Sequence, residues 1–386
     1  MKLSGLGRLR MLFNPALLVS LLAACGGGGG GATAATAPAA ADPWAAYPTM
    51  PAGTLPGASA QARAAAAALA GGINFGNMLE APTEGAWGLR VEDEFIALVG
   101  QGGSAAAGHV IKAVRLPVRW SNHASPDAAA TIDAAFMSRV ESIVNRLLAR
   151  GVTVVLNMHH YHQLDGDAAE AGEASVAGDV VQLRFLAMWR QIAERFAAAG
   201  PGLVFELYNE PHNKLEADWN TLASRALRVV RASNPSRVVM IGPVQWNSPW
   251  ALSRLQLPAD ANLLLTVHHY EPFAFTHQGA EWVNPSPPVG VDCCDATQLA
   301  KIREGLDLAA NEAKRLGYPV VVGEFGAYSR AAPAARVRYL QTMRAEMASR
   351  QLSWMYWELA SGFGLYDPQA HAWRTDLVRA LYGATP

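Results

Sequence analysis

The sequence predicts a single α/β domain of the (β/α)8 TIM-barrel class. From Gly71 onward, short apolar runs rich in β-branched residues alternate with longer amphipathic stretches, the texture of βα repeats feeding a parallel sheet. Eight such runs can be counted, enough to close a barrel. Most of them end in polar or aromatic residues, as expected where the C-terminal ends of barrel strands form one working face.

In chain order, residues 1–24 read as an export signal. Lys2, Arg8 and Arg10 form its positive region, and an apolar run from Ala16 to Ala24 follows, interrupted by Ser20. That run is shorter than the roughly 20 apolar residues a membrane span requires. It ends in Leu22-Ala23-Ala24-Cys25, which resembles the lipobox of bacterial lipoprotein signals. The resemblance makes Cys25 the acylated first residue of a mature chain held at an outer membrane or cell surface by its lipid. An ordinary cleavable signal with an incidental Cys25, giving a secreted or periplasmic protein, is the alternative. Residues 25–58 are rich in Gly, Ala, Thr and Pro with almost no charge, and read as a flexible tether. The barrel domain then covers 59–386 and opens on an Ala-rich stretch, 59–70, suited to a short leading helix.

The strand candidates are 73–75, 113–116, 153–158, 203–208, 238–241, 263–267, 320–323 and 353–356. Helical spacing connects them. Ile132, Phe136, Val140, Ile143, Val144, Leu147 and Leu148 form one stripe, stopped by Gly151 before the third strand. Val181, Phe185, Met188, Ile192 and Phe196 form the next, and Leu222, Leu227 and Val230 another, ended by Asn234-Pro235.

Composition narrows the function. The formal charge is −1, and without residues 1–24 it becomes 28 basic against 32 acidic groups, with no basic stripe, which excludes nucleic acid as the expected partner. Eleven Trp and ten Tyr suit a ligand with flat apolar faces, although such rings also serve as core. With Cys25 acylated, the remaining Cys293 and Cys294 are neighbours. Adjacent Cα atoms about 3.8 Å apart sit closer than disulfides usually allow, so free thiols are the default and a strained vicinal bridge is the alternative.

What each run delivers as it ends is more informative. The second delivers Arg115, the third His159-His160-Tyr161-His162, and the fourth Asn209-Glu210-Pro211-His212. The sixth ends in His268-His269-Tyr270, the seventh in Glu324 and the eighth in Trp357-Glu358; the first carries Asn74 and is followed by Asn77 and Glu80. Glu210 and Glu324 therefore face each other across a barrel mouth. Glycoside hydrolysis needs two carboxyls flanking the bond, about 5–5.5 Å apart for retention through a covalent intermediate. One must be held protonated and the other ionised. Arg115 can keep Glu324 charged, and the short amide of Asn209 suits a sugar 2-hydroxyl. This chemistry calls for no cofactor and no metal.

The sequence resembles glycoside hydrolase family 5, the cellulase-type family. The matching segments are GINFGNMLEAP (72–82), VRLP (114–117), NMHHY (157–161), ELYNEPH (206–212), VHHYEPF (267–273), VVGEFGAY (321–328) and SWMYWEL (353–359), in family order across the body. The resemblance implies Glu210 as acid/base and Glu324 as nucleophile. Arg115 and Tyr270 would hold the nucleophile, and His268 would sit near the acid/base. His159 and Asn209 would bind the central sugar over a floor made by Trp357. Asn77 and Glu80 would bind the next sugar toward the non-reducing end, with His160, Trp246 and Trp282 as further cleft-lining positions. The GNMLEAP opening resembles the bacterial endoglucanase branch, so an internal β-1,4-glucan linkage is the expected target; mannan, xyloglucan and mixed-linkage glucan are alternatives. A monomer is expected. A non-catalytic surface glycan receptor would be expected to lose a carboxylate, and both are present. A metal-dependent hydrolase built on the two histidine runs lacks a carboxylate or Cys partner at ligand spacing.

Overall fold

The computed structural model describes residues 42–103 and 108–383. The export signal 1–24, the lipidation candidate Cys25 and the tether up to residue 41 lie outside the described residues. Eight parallel strands close in sequence order: β1 (Gly72–Asn74), β2 (Ala113–Leu116), β3 (Thr153–Asn157), β4 (Leu203–Glu206), β5 (Val239–Ile241), β6 (Leu263–His268), β7 (Val320–Glu324) and β8 (Ser353–Tyr356), with β8 pairing back onto β1. The helices are α1 (Ala60–Ala68), α2 (Asp93–Ala97), α3 (Ala134–Ala149), α4 (His162–Asp165), α5 (Gly178–Arg195), α6 (Leu215–Ser233), α7 (Val244–Asn247), α8 (Phe273–Thr276), α9 (Ala296–Leu316), α10 (Pro333–Ser349) and α11 (Thr375–Tyr382).

Strand alternation builds two cores. In β2, Val114 and Leu116 join the apolar layer beneath the helices, while Ala113 packs in the lumen with Val155, Val204, Met240, Leu264, Val321 and Met355. The lower end of that lumen is closed by α1, whose Ala62, Ala65, Ala66 and Leu69 belong to the same cluster. Its small side chains allow close approach, and Ser59 caps it by accepting from Ala62 N at 3.0 Å. In α3, Asp133 caps the first turn and Phe136, Val140, Ile143, Val144 and Leu147 bury one face, as the spacing predicts. A capping box of Asp295 and Gln298 starts α9, and Gly317, left-handed at φ 75°, ends it.

Two expectations are corrected. Residues 42–58, read as part of the tether, lie against the helices. Tyr47 is buried with its ring under the Arg190 guanidinium, Arg225 donates to its carbonyl, and Met50 N donates to Ser224 Oγ at 3.0 Å. The segment carries Trp44, Tyr47 and Met50 against α5 and α6 and Leu55 against the core, apolar surface that the Gly/Ala/Pro background obscured. Cys293 and Cys294 are bonded to each other across a cis peptide, with Cα atoms 3.0 Å apart rather than at the trans spacing on which free thiols were expected. No helix among the described residues is long and apolar enough to cross a membrane.

Candidate active site

Alternation along β2 and β4 turns Arg115 and Glu206 inward, one layer above the apolar lumen, and both are fully buried. A buried charge is costly unless every donor is matched. Arg115 has five N–H donors, and all five are used. Nε and Nη2 fork onto Glu206 at 2.6 and 3.0 Å; Nη1 reaches Asn74 Oδ1 at 3.0 Å and Glu324 Oε1 at 2.5 Å; Nη2 also reaches Asn209 Oδ1 at 2.7 Å. Asn74 is oriented for this by donating its amide to Gly323 O and Tyr356 O. Burial acts against the cation, but Glu206 and Glu324 outweigh it and raise the guanidinium pKa further.

Glu324 sits at the end of β7 with its second oxygen, Oε2, accepting from Tyr270 Oη at 3.0 Å. Glu210 lies four residues past β4 in left-handed backbone, φ 53°, an uncommon conformation for a non-glycine residue. Its Oε1 contacts His268 Nδ1 at 2.6 Å, while His268 Nε2 contacts Asn247 Nδ2 at 3.3 Å. The amide donates to Nε2, so the imidazole proton sits on Nδ1 and points at Glu210. Burial holds the His268 pKa down to about 4, a neutral ring at neutral pH. One oxygen from Glu210, one from Glu324 and a His268 nitrogen all lie within 4.8 Å of one another. Burial pushes both carboxyls up. Glu210 rises to about 7, opposed by Arg115 and His212, whereas the rise at Glu324 is opposed by His268, Arg115 and the Tyr270 hydroxyl. Two carboxyls in one mouth thus differ in what touches them: a direct cation for Glu324, a neutral ring for Glu210.

Around this pair runs a cleft of about 1120 Å³. Asn77, His159, His160, Trp246, His268, Tyr270, Trp282 and Trp357 all line it. The His159 and Trp357 rings lie nearly parallel, 6.1 Å between centroids. Burial holds His159 and His160 well below the ordinary histidine value, so both are neutral hydrogen-bonding groups. Trp246 and Trp282 are 51 % and 59 % exposed, far more than packing residues would be. Arg115 and Asn209 lie under the floor rather than in the wall, and Asn209 spends its oxygen on Arg115.

Glu80 is not brought to the cleft, which corrects the expectation for it. It is fully buried and accepts from the backbone N–H groups of Asn77 and, at 3.0 Å, Met78. Its carboxyl fastens the turn that presents Asn77, itself left-handed at φ 63°. Glu358 does the same on the other side, accepting from the N–H groups of Ala360, Ser361 and Phe363. Burial raises both carboxyls to about 7.

Sequence reasoning missed several residues. Glu206 had a usable signal, since alternation along 203–206 turns it to the same side as Val204, and an inward acid demands a partner such as Arg115. Asn247, Trp87, Arg119, Glu170, Trp250, Phe273 and Phe363 come from loops or from single helical turns such as α7 and α8, too short for periodicity to mark direction; all but Asn247 line the cleft. Arg119 pairs with Glu170 and lies 5.4 Å from the Trp87 ring centre.

Among the described residues, Glu210, His268 and Glu324 could together reach one cation. Their pairing argues for other work: Arg115 already supplies the positive charge at Glu324, and His268 turns its proton toward Glu210.

A closed parallel barrel with two carboxyls this near across its mouth, one on a cation, has the architecture of a glycoside hydrolase. The family described as cellulase (glycosyl hydrolase family 5) matches residues 99–362. Endoglucanase H of Acetivibrio thermocellus is 31 % identical over 319 residues, covering 81 % of this chain and 32 % of that protein. Endoglucanase 1 of Ruminococcus albus is 31 % identical over 264 residues, covering 64 % of this chain and 60 % of that protein. Among solved structures, a hyperthermophilic endo-β-1,4-glucanase in complex with substrate is 35 % identical with a TM-score of 0.77, covering 83 % of this chain and 99 % of that one. The chain belongs to the cellulase family, glycoside hydrolase family 5. It spans about a third of the length of the first two curated relatives it matches, 32 % and 36 %.

Proposed function

We propose that the protein is a retaining endo-β-1,4-glucanase, with Glu324 as nucleophile and Glu210 as acid/base. The observation that carries this reading is the carboxyl pair within 4.8 Å, set in a cleft open along an aromatic-lined length. In the first step Glu324, ionised against Arg115 and Tyr270, attacks the anomeric carbon while Glu210 gives its proton to the leaving oxygen. In the second, Glu210 takes a proton from water as that water breaks the glycosyl–Glu324 bond. With its oxygen on Arg115, Asn209 keeps its amide donor for the sugar 2-hydroxyl, and Trp357 with His159 forms the floor.

Trp87, Trp246, Trp250 and Trp282 all line the cleft and are exposed, so a long chain has several rings to rest on, which favours internal cleavage. The names of the relatives favour glucan. A second reading, action on mannan as well, draws on Thermotoga maritima Cel5A, 37 % identical, which has been solved with cellobiose and with mannotriose. Attachment through a lipid at Cys25 and a monomeric state complete the proposal; the first rests on the lipobox-like Leu22-Ala23-Ala24-Cys25 alone.

The test is a pair of variants on an unactivated glucan. Glu324→Ala and Glu210→Ala should each lower kcat by a factor on the order of 10³ or more without unfolding the barrel. Azide added to Glu324→Ala with an activated substrate should yield a glycosyl azide of inverted configuration. Near wild-type turnover by Glu324→Ala would refute the assignment.

A further inference from the structure

The residue after the Asn-Glu-Pro turn, His212, has no role in the reading above, yet it is tied to the carboxyl that has the most demanding one. Its Nδ1 lies 2.6 Å from the backbone carbonyl oxygen of Glu210, and its Nε2 lies 2.9 Å from Asp167 Oδ2. Both neighbours are acceptors, so both ring nitrogens must donate and the ring is an imidazolium. The environment agrees: burial would lower its pKa, but Asp165, the Glu210 carbonyl and Asp167 outweigh it and raise it.

This contact falls where the backbone needs support. Glu210 holds a left-handed φ of 53° that local preference does not favour, and Pro211 stiffens the link to His212. The end of α4 and the residues just after it anchor the far side. Asp167 Oδ1 accepts from Asn213 Nδ2 at 2.8 Å, Asp165 O accepts from Lys214 N at 2.9 Å, and Asp165 Oδ2 accepts from Tyr208 Oη at 2.5 Å. On its open face the His212 ring is covered by Trp246, 4.7 Å between centroids and 20° from parallel. Trp246 stands in a run of three left-handed residues, Gln245, Trp246 and Asn247, and Asn247 holds the His268 that touches the Glu210 carboxyl. Glu210 is thus held twice from one segment, at its backbone through Trp246 and His212 and at its carboxyl through Asn247 and His268.

We infer that His212 is a positioning residue for the acid/base. Its ring fixes the Glu210 carbonyl against Asp167 and beneath Trp246, so that the Glu210 carboxyl is aimed at the leaving oxygen. The inference rests on the role proposed for Glu210, and the experiment separates the two.

The assay compares two substrates. Cellotetraose needs protonation of its leaving sugar, whereas 2,4-dinitrophenyl β-cellobioside, with a very acidic leaving group, needs almost none. Bond cleavage is read by the pre-steady-state burst of dinitrophenolate. His212→Ala should lower kcat on cellotetraose by roughly tenfold to a hundredfold, part of the about 10²–10⁴ that a general acid supplies, with little change in KM. The burst rate should fall less than about threefold, since no proton is needed in that step. His212→Asn, whose Nδ2 reproduces the donor to the Glu210 carbonyl, should recover most of the lost kcat. Asp167→Ala, which leaves the ring in place but frees its outer end, should show the same substrate dependence to a smaller degree, and serves if His212→Ala fails to fold. Glu210→Ala is the reference and should show the same dependence more strongly. Equal losses on both substrates in the His212 and Asp167 variants, or no loss, beside a substrate-dependent loss in Glu210→Ala, would overturn the inference alone. No substrate dependence in Glu210→Ala itself would overturn the role of Glu210, and with it the inference.

Discussion

Replacing Glu206 with glutamine tests whether the buried guanidinium is the electrostatic keystone of the mouth. Arg115 and Glu206 are both fully buried and joined by two contacts of 2.6 and 3.0 Å. Glutamine keeps the shape but removes the charge and sets an amide N–H against an Arg115 N–H. Removing one partner of a buried pair costs about 3–5 kcal/mol, because the other charge stays behind uncompensated. Glu324 still faces Arg115, so the lower end, about 3 kcal/mol, is expected in urea denaturation at pH 7. Glu281→Gln is the control, since the Arg330–Glu281 pair is more than half exposed at both ends and its loss should leave stability unchanged. The same substitution has a kinetic signature. With Glu206 gone, the charge of Arg115 acts on Glu324 alone and favours its ionised form, so the acid limb of kcat/KM should move to lower pH. A stability loss below about 1 kcal/mol, or an acid limb that stays or moves up, would refute the reasoning.

Other predictions follow from the same groups. Glu210 has a folded-state pKa of about 7 against an ordinary 4.5, so it binds its proton more tightly when folded. Stability is therefore greatest below about 4.5 and is lost as pH rises through about 7. Glu210→Gln should match the wild type at pH 4 and exceed it at pH 8 by about 1–3 kcal/mol; a variant less stable at pH 8 would contradict this. On unactivated substrate, kcat/KM should fall above about 7 as the acid deprotonates, and that limb should vanish with a dinitrophenyl leaving group. Trp282→Ala and Trp87→Ala should each raise KM on cellohexaose roughly twofold to tenfold with kcat nearly unchanged, from about 0.5–1.5 kcal/mol of ring contact; a kcat effect alone would exclude a binding role. Cys25→Ser should move the protein from the membrane fraction to the soluble one, and retention in the membrane would end the lipid-anchor reading.

Much was legible in the sequence because it depends on local rules. The eight strands came from runs of Val, Ile and Leu between helical stripes, and the observed limits differ little: the run at 203–208 stops as β4 at Glu206, because the chain must turn to present Asn209 and Glu210. The carboxyls and Arg115 were legible because barrel strands discharge at one end. Three things were not. Glu80 shares a segment with Asn77 but serves as the fastener of its turn, a difference of direction that no motif encodes. The apolar residues of 42–58 were hidden in a tether-like composition until the folded barrel offered them a surface, α5 and α6 for Trp44, Tyr47 and Met50. Trp87, Trp250, Phe273 and Phe363 stand in loops or in single helical turns without a readable period, aimed only by the packing beneath them.

By itself, then, the sequence determined the repeat, the closure and which polar groups the strand ends carry to the barrel mouth, since each follows from the pattern along one segment. Tertiary structure decided what distinguishes those groups. Glu210 and Glu324 are the same side chain, 114 positions apart as their numbers show, and only folding sets one against a guanidinium and the other against a neutral imidazole. The affinity of a carboxyl for its proton depends on which charges lie within a few ångström, and that distance is not a property of any segment of chain.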